Sequence, residues 1–399
     1  MIYSYSINLT SNKESNDFLR CLWSRIRIHF GNIGWLFQPM KCRNNYIHLG
    51  VTSFGSINTF DVSCQYKIKG CISVIQFENE CDNEDHSLRG NLNACIEEAK
   101  HFGEYLQLFT YKYFFDESLS FKKKNGKLIS IDKNTISFQV KAYDRVDALS
   151  LSKMYLSFIC DLLTFDTLKY ITVSTKETFL AREKHCFNIE WINSETGERV
   201  SNKDIDANEN GIDISPETFS YIESFLLRPY MYEDHYTLFE KSVITFAQAI
   251  WNEEESNARN NLNTPYAEQA VTFYMSALEI ITQEDIKPHK CSECGQETFS
   301  IANRVKQLAK KAIENGEEFA QLHYSQRSSF VHMGEYMSNY SDMGSVIPLL
   351  SKKNKNGTIN QRSMLELDLK SIIKKCILWH ENHVHKCLEV FSLFYLFLQ

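Results

Sequence analysis

The feature that most limits what this 399-residue chain can become is a change of hydrophobic period near residue 212. Before it, short apolar runs alternate with polar residues or stand between turn residues, as strands do. After it, apolar residues recur every three or four positions with little interruption, as helices do. The stretch Ser194–Gly211, rich in Asn, Asp and Glu, parts the two regimes and reads as a loop and a domain boundary. A chain of this length holds two or three domains, at roughly 100–200 residues each. The expected architecture is an α+β N-terminal region over residues 1–212, with a further break near 115, followed by an all-α helical bundle over 213–399.

Strands are expected at Met1–Leu9, Gly34–Phe37, Tyr46–Val51, Phe60–Tyr66 and Ile72–Phe77, and helices at Asn16–Phe30 and Asn91–Phe109. Leu119–Lys124 and Lys127–Ile131 flank Asn125-Gly126, a strong hairpin signal. Lys122, Lys123 and Lys124 beside it read as a solvated edge that resists aggregation. Thr135–Ala142 is a strand, Asp147–Phe165 a long apolar helix, and Tyr170–Val173 and Phe187–Ile192 are further strands. Ser215-Pro216-Glu217 opens the helical part, with proline in the first turn. Helices follow at 216–227, 233–254, 265–283, 298–314, 317–335 and 363–398, the last broken near His380.

Net charge is −7, which argues against coating nucleic acid by bulk electrostatics but leaves room for a local basic cleft. The 12 cysteines are mostly scattered singly and no signal peptide is read at the start, so a reduced, cytosolic protein is expected. No window of about 18 apolar residues is read, so no membrane partner is expected. Nucleotide-binding glycine loops, the Gly-x-Ser-x-Gly elbow and His-Glu-x-x-His are absent from the sequence.

One stretch can carry chemistry. Arg327 and His332 lie four intervening residues apart on a segment that reads as helix, with apolar Phe319, Leu322, Phe330 and Val331 at helical spacing. A guanidinium can stabilise a crowded, negatively charged phosphorane, and imidazole titrates near neutral pH, so the two suit phosphoryl chemistry without a metal. The spacing alone is common: Arg43 with His48 fits it as well, and Arg228 with His235, six residues between, fits the looser spacing of four to six. The first pair runs into a strand and the second is interrupted by Pro229, whereas Arg327 and His332 sit among helices. Residues five apart on an ideal helix diverge by about 140°, so one helix aims both at a single point only by flanking a groove, such as a two-fold dimer cleft.

Upstream stands a helix containing Ala277-Leu278-Glu279, and then the segment Tyr324–Gly334 with its Arg327 and His332. These two blocks resemble the HEPN superfamily, specifically its Apea-like C-terminal branch, over about residues 216–399. The resemblance implies metal-independent RNA cleavage by a homodimer in a shared cleft, with no cofactor for catalysis. Arg327 would contact the scissile phosphate and His332 would act on the 2′-hydroxyl or the leaving oxygen, giving a 2′,3′-cyclic phosphate. Glu279 would orient Arg327 by an ion pair. Ser328 stands where active members commonly have Asn, Asp or His; a serine still donates to phosphate. The resemblance further implies a toxin-like effector of prokaryotic defence, with the N-terminal region sensing a trigger or restraining the nuclease. The rival reading is a non-catalytic RNA- or protein-binding module in which Arg327 and His332 are structural.

Cys291 and Cys294, in Lys287-Pro-His-Lys-Cys-Ser-Glu-Cys-Gly-Gln296, form half of a zinc-knuckle pattern. They read either as two ligands of a structural zinc or as a reduced pair in a loop. His289, and Cys376, His380, His383, His385 and Cys387 near the end, are the nearest sources of further ligands. The connection 337–362, with Lys352, Lys353, Lys355 and Arg362, reads as a solvated loop or a phosphate-binding flap.

Overall fold

The computed structural model describes residues 1–31, 33–43, 45–54, 59–79, 86–116, 118–174, 191–192, 199–200, 211–228, 236–258, 266–283, 301–333 and 369–383. The chain divides into two compact units, Met1–Tyr111 with Phe138–Met154, and Lys112–Ser137 with Tyr155–Gln399.

The first unit is built on an antiparallel sheet of β1 (Ile2–Ser6), β2 (Gly34–Arg43), β3 (Tyr46–Ser53), β4 (Thr59–Ile68) and β5 (Cys71–Glu78), in the order β1-β5-β4-β3-β2. Helices α1 (Asn12–Phe30) and α2 (His86–Lys100) cover one face. Ser11 starts α1 by accepting the Glu14 N–H at 3.1 Å, and Gly31, at φ +71°, ends it in a conformation that favours glycine. Phe18, Cys21, Leu22 and Ile26 recur at helical spacing and are buried against Val62, Ile75, Phe77, Leu92 and Ile96. Arg20 and Arg27 anchor α1 to Asp147 and Asp144, at 2.8 and 2.7 Å.

A second antiparallel sheet has the order β10-β6-β9-β8-β7. Its strands are β6 (Gln107–Phe115), β7 (Phe121–Asn125), β8 (Ile129–Lys133), β9 (Thr135–Ala142) and β10 (Val173–Ser174). A hairpin joins β7 to β8 as expected, but its loop is residues 126–128 rather than Asn125-Gly126: Asn125 ends β7 opposite Ser130, and the Gly126 N–H donates to Ile129 O at 2.8 Å. The helix expected through Phe109 stops at Lys100, and residues 107–115 form β6 instead. Tyr and Phe at alternate positions of Gln107–Phe115 favour a pleated strand over continuation of the helix. β11 (Trp191–Ile192) and β12 (Arg199–Val200) make a small separate ladder.

The helices are α3 (Arg145–Thr167), α4 (Pro216–Leu226), α5 (Leu238–Ala258), α6 (Tyr266–Ile281), α7 (Ile301–Ala312), α8 (Gly316–Met333) and α9 (369–383). α3 is long and apolar enough to cross a membrane, contrary to the hydropathy expectation, but 67% of its apolar window is buried inside the fold. Phe158 of α3 packs on Phe225 of α4 with ring centres 4.4 Å apart, and Phe246 of α5 on Tyr274 of α6 at 5.3 Å.

The expected fold class, an α+β region followed by an all-α bundle, needs correction. The α+β beginning holds, in two antiparallel sheets, but the helices do not form a separate all-helical body. The compact unit that contains α4 to α9 also contains β7 and β8. The reason lies just before α4. Ile212 bridges Phe121 in parallel, its N–H donates to Ser120 O at 2.7 Å, and its carbonyl accepts from Lys122 N–H at 2.9 Å. Further on, Glu223 of α4 accepts the Lys127 N–H at 2.5 Å. Backbone hydrogen bonds thus sew Ile212, at the entry to the helices, onto the start of β7 at Phe121.

Candidate functional site

α6 is apolar along most of its circumference. Ala267, Ala270, Val271, Tyr274, Met275, Ala277, Leu278 and Ile281 are buried, and Ser242 of α5 donates to Ala277 O at 2.9 Å. Glu279 falls at the margin of that buried surface, its side chain 15% exposed, where α8 passes. On α8, Ala320 and His323 are buried and Tyr324 and Arg327 are partly buried, a stripe at positions i, i+3, i+4 and i+7. The seat of α8 is therefore largely polar. Phe319, Leu322 and Phe330, read from sequence as its apolar face, are only partly buried, and Val331 is 52% exposed.

The stripe places Arg327 over Glu279. Arg327 Nη1 donates to Glu279 Oε1 at 2.6 Å, and Tyr324 Oη donates to the same oxygen at 2.7 Å. The guanidinium carbon lies 5.5 Å from the Tyr324 ring centre, and Nη1 is 3.5 Å from Oη. Burial, and then the hydrogen bond to the Glu279 carboxylate, push the Tyr324 hydroxyl above its ordinary pKa. It therefore stays a donor at neutral pH. Ser328 and His332 are exposed on the other side of α8. Of the four expected catalytic residues, the structure brings Glu279 and Arg327 together. It leaves Ser328 and His332 facing solvent rather than the ion pair. Tyr324 was not foreseen; a tyrosine one turn before the arginine was the available signal.

The same arrangement occurs a second time. Arg228 Nη1 bonds Glu240 Oε1 at 2.5 Å, Tyr221 Oη donates to that oxygen at 2.9 Å, and Arg228 lies 5.7 Å from the Tyr221 ring centre. Glu240 is fully buried at 0%, and its other oxygen accepts the Thr237 N–H at 2.8 Å at the head of α5. Arg228 was one of the decoy arginines, and its partner residue by spacing, His235, lies outside the described residues. In the other decoy, Arg43 is on β2 and His48 on β3, where His48 Nε2 meets Asp61 at 2.9 Å.

Cys291 and Cys294 lie outside the described residues, as do His289, His385, Cys387 and the connection 337–362. Among the described residues no group of three or more His, Cys, Asp or Glu is placed to hold a metal. Cys376 is buried within α9, which pushes its thiol up to about 12, and His383 Nδ1 bonds Trp379 O at 2.7 Å. The lysines of β7 meet carboxylates: Lys122 and Lys124 reach Asp213 at 3.4 and 3.2 Å, and Lys123 reaches Asp132 at 3.7 Å.

Comparison with known protein families, curated proteins and solved structures finds no match to this chain.

Proposed function

We propose that the chain is a metal-independent endoribonuclease, a cytoplasmic, toxin-like defence effector of the HEPN type, acting as a homodimer. Arg327 contacts the scissile phosphate. His332 acts on the 2′-hydroxyl or on the leaving 5′-oxygen, so that the 2′-oxygen bonds phosphorus as the 5′-oxygen departs, leaving a 2′,3′-cyclic phosphate. The N-terminal region responds to a trigger, and Cys291 and Cys294 supply two ligands to a structural zinc.

The observation that carries this reading is the Arg327–Glu279 ion pair at 2.6 Å between the two helices that bear the resembling blocks. Glu279 orients the guanidinium without sealing it, since the Arg327 side chain remains 23% exposed. His332, about 140° around the helix, is open to solvent. A second copy docked along this side of α8 would bring an Arg327 and a His332 from different protomers to one cleft. The experiment is cleavage of RNA by purified protein with EDTA present. His332→Ala should abolish cutting with the fold intact; equal cutting by that variant would sink the assignment.

The repetition at Arg228 favours the second reading, a non-catalytic RNA- or protein-binding module, because the same three residue types recur there around a fully buried glutamate, away from the resembling blocks. RNA bound by the wild type without cleavage, under every activating condition tried, would select it.

A further inference from the structure

The ribonuclease reading assigns work to Arg327, His332, Glu279 and Ser328, and none to Tyr324. Yet Tyr324 Oη and Arg327 Nη1 donate to one and the same oxygen, Glu279 Oε1, at 2.7 and 2.6 Å. A carboxylate oxygen that accepts from two sides is held in place, and any group bonded to it inherits that position. The Tyr324 ring, 5.5 Å from the guanidinium carbon, backs the cation and limits its tilt. Nη1 is thus occupied, while Nη2 makes no hydrogen bond among the described residues. An arginine left to itself samples many rotamers; this one is tied through Nη1, with its side chain 23% exposed.

We infer that Tyr324 is a positioning residue: its hydroxyl fixes Glu279, and through Glu279 it turns Nη2 of Arg327 outward to meet a phosphodiester. That the anion is an RNA phosphate rests on the ribonuclease reading; the ordering of Arg327 by Tyr324 rests on the geometry alone. The shared acceptor also means that Tyr324 and Glu279 act along one path. Removing both should harm Arg327 no more than removing Glu279.

The test uses Y324F, which keeps the ring and deletes the hydroxyl, beside E279Q and the double variant, all checked for unchanged circular dichroism. Two readouts are taken on the full chain. The first is RNA cleavage. Turnover by Y324F should fall about tenfold with KM within about twofold, and the double variant should match E279Q. The second needs no cleavage: the rate at which phenylglyoxal modifies Arg327, followed by peptide mass spectrometry. A loosened guanidinium in Y324F should react several-fold faster than in the wild type. Wild-type Arg327 reactivity in Y324F overturns the inference, as does wild-type turnover. If no protein cuts RNA but Arg327 reactivity rises in Y324F, the ribonuclease reading fails and the positioning role stands.

Discussion

Arg228 and Arg327 repeat one another: each guanidinium reaches a glutamate oxygen that also accepts from a tyrosine hydroxyl. The two differ in what surrounds the acid. Glu240 is fully buried, whereas the Glu279 side chain is 15% exposed. Removing one partner of a buried pair strands the other, and that penalty grows with burial. Arg228→Ala should therefore lower stability by about 2–4 kcal/mol, and Arg327→Ala by about 1 kcal/mol. Thermal melts of the two variants check the ranking. Under the proposed function Arg327→Ala also abolishes RNA cleavage, which Arg228→Ala leaves in place in whatever fraction stays folded.

Around α8, between Arg327 and His332 and about 40° from the former, lies Val331, 52% exposed. An apolar side chain on this side has no folding role to lose, so Val331→Asp should change stability by less than about 0.5 kcal/mol. If a second copy docks along this side, the same substitution places a desolvated charge in the contact. Sedimentation velocity should then show a monomer, and cleavage should fall with it. A dimer of unchanged strength in Val331→Asp places the contact elsewhere.

Asp161 sits within α3, and desolvation there raises its carboxyl pKa to about 7. The direction sets the sign. The protonated form is the one the fold accepts, so this contribution is complete below the ordinary carboxylate pKa near 3.8 and is lost as pH rises through about 7. Asp161→Asn removes the ionisation. It should stabilise the protein by about 1–2 kcal/mol at pH 8 and leave it unchanged near pH 4, measured by melts across that range.

Ser215 closes the head of α4 by accepting the Thr218 N–H at 3.2 Å, while its own N–H donates to Asp166 at 2.8 Å. Ser215→Ala deletes only the side-chain cap and should cost about 1 kcal/mol, whereas Ser215→Gly should cost a few tenths. Melting temperatures of the two variants give the comparison.

What could be read from the sequence was mostly local. The hairpin of β7 and β8 was legible from the local Asn125-Gly126 signal, although its loop falls at residues 126–128, with Asn125 still paired in the strand. The stop of α2 and the onset of β6 were misread because Gln107–Phe115 is apolar enough to extend the preceding helical pattern, and its strand partners lie elsewhere in the chain. The fold class failed for the same reason. The bridge between Phe121 and Ile212 leaves no trace in either segment. At the site, the helices and the Arg327–Glu279 pairing were anticipated, the latter through the family resemblance across a separation of 48 residues. The inward face of α8 was not, since a periodicity scan seeks oil and this face holds His323, Tyr324 and Arg327.

That polar seat does something an apolar one could not. Greasy side chains tolerate sliding, because one methyl contact is much like the next. A helix seated by hydrogen bonds has a single correct berth. Move α8 by one turn, about 5.4 Å, and Glu279 meets Ala320 and His323 on one side or Ser328 and Val331 on the other. Neither substitute offers the guanidinium that balances its charge. The ion pair is therefore a ruler as well as a tether: it tells the helix how far along its own axis to come to rest.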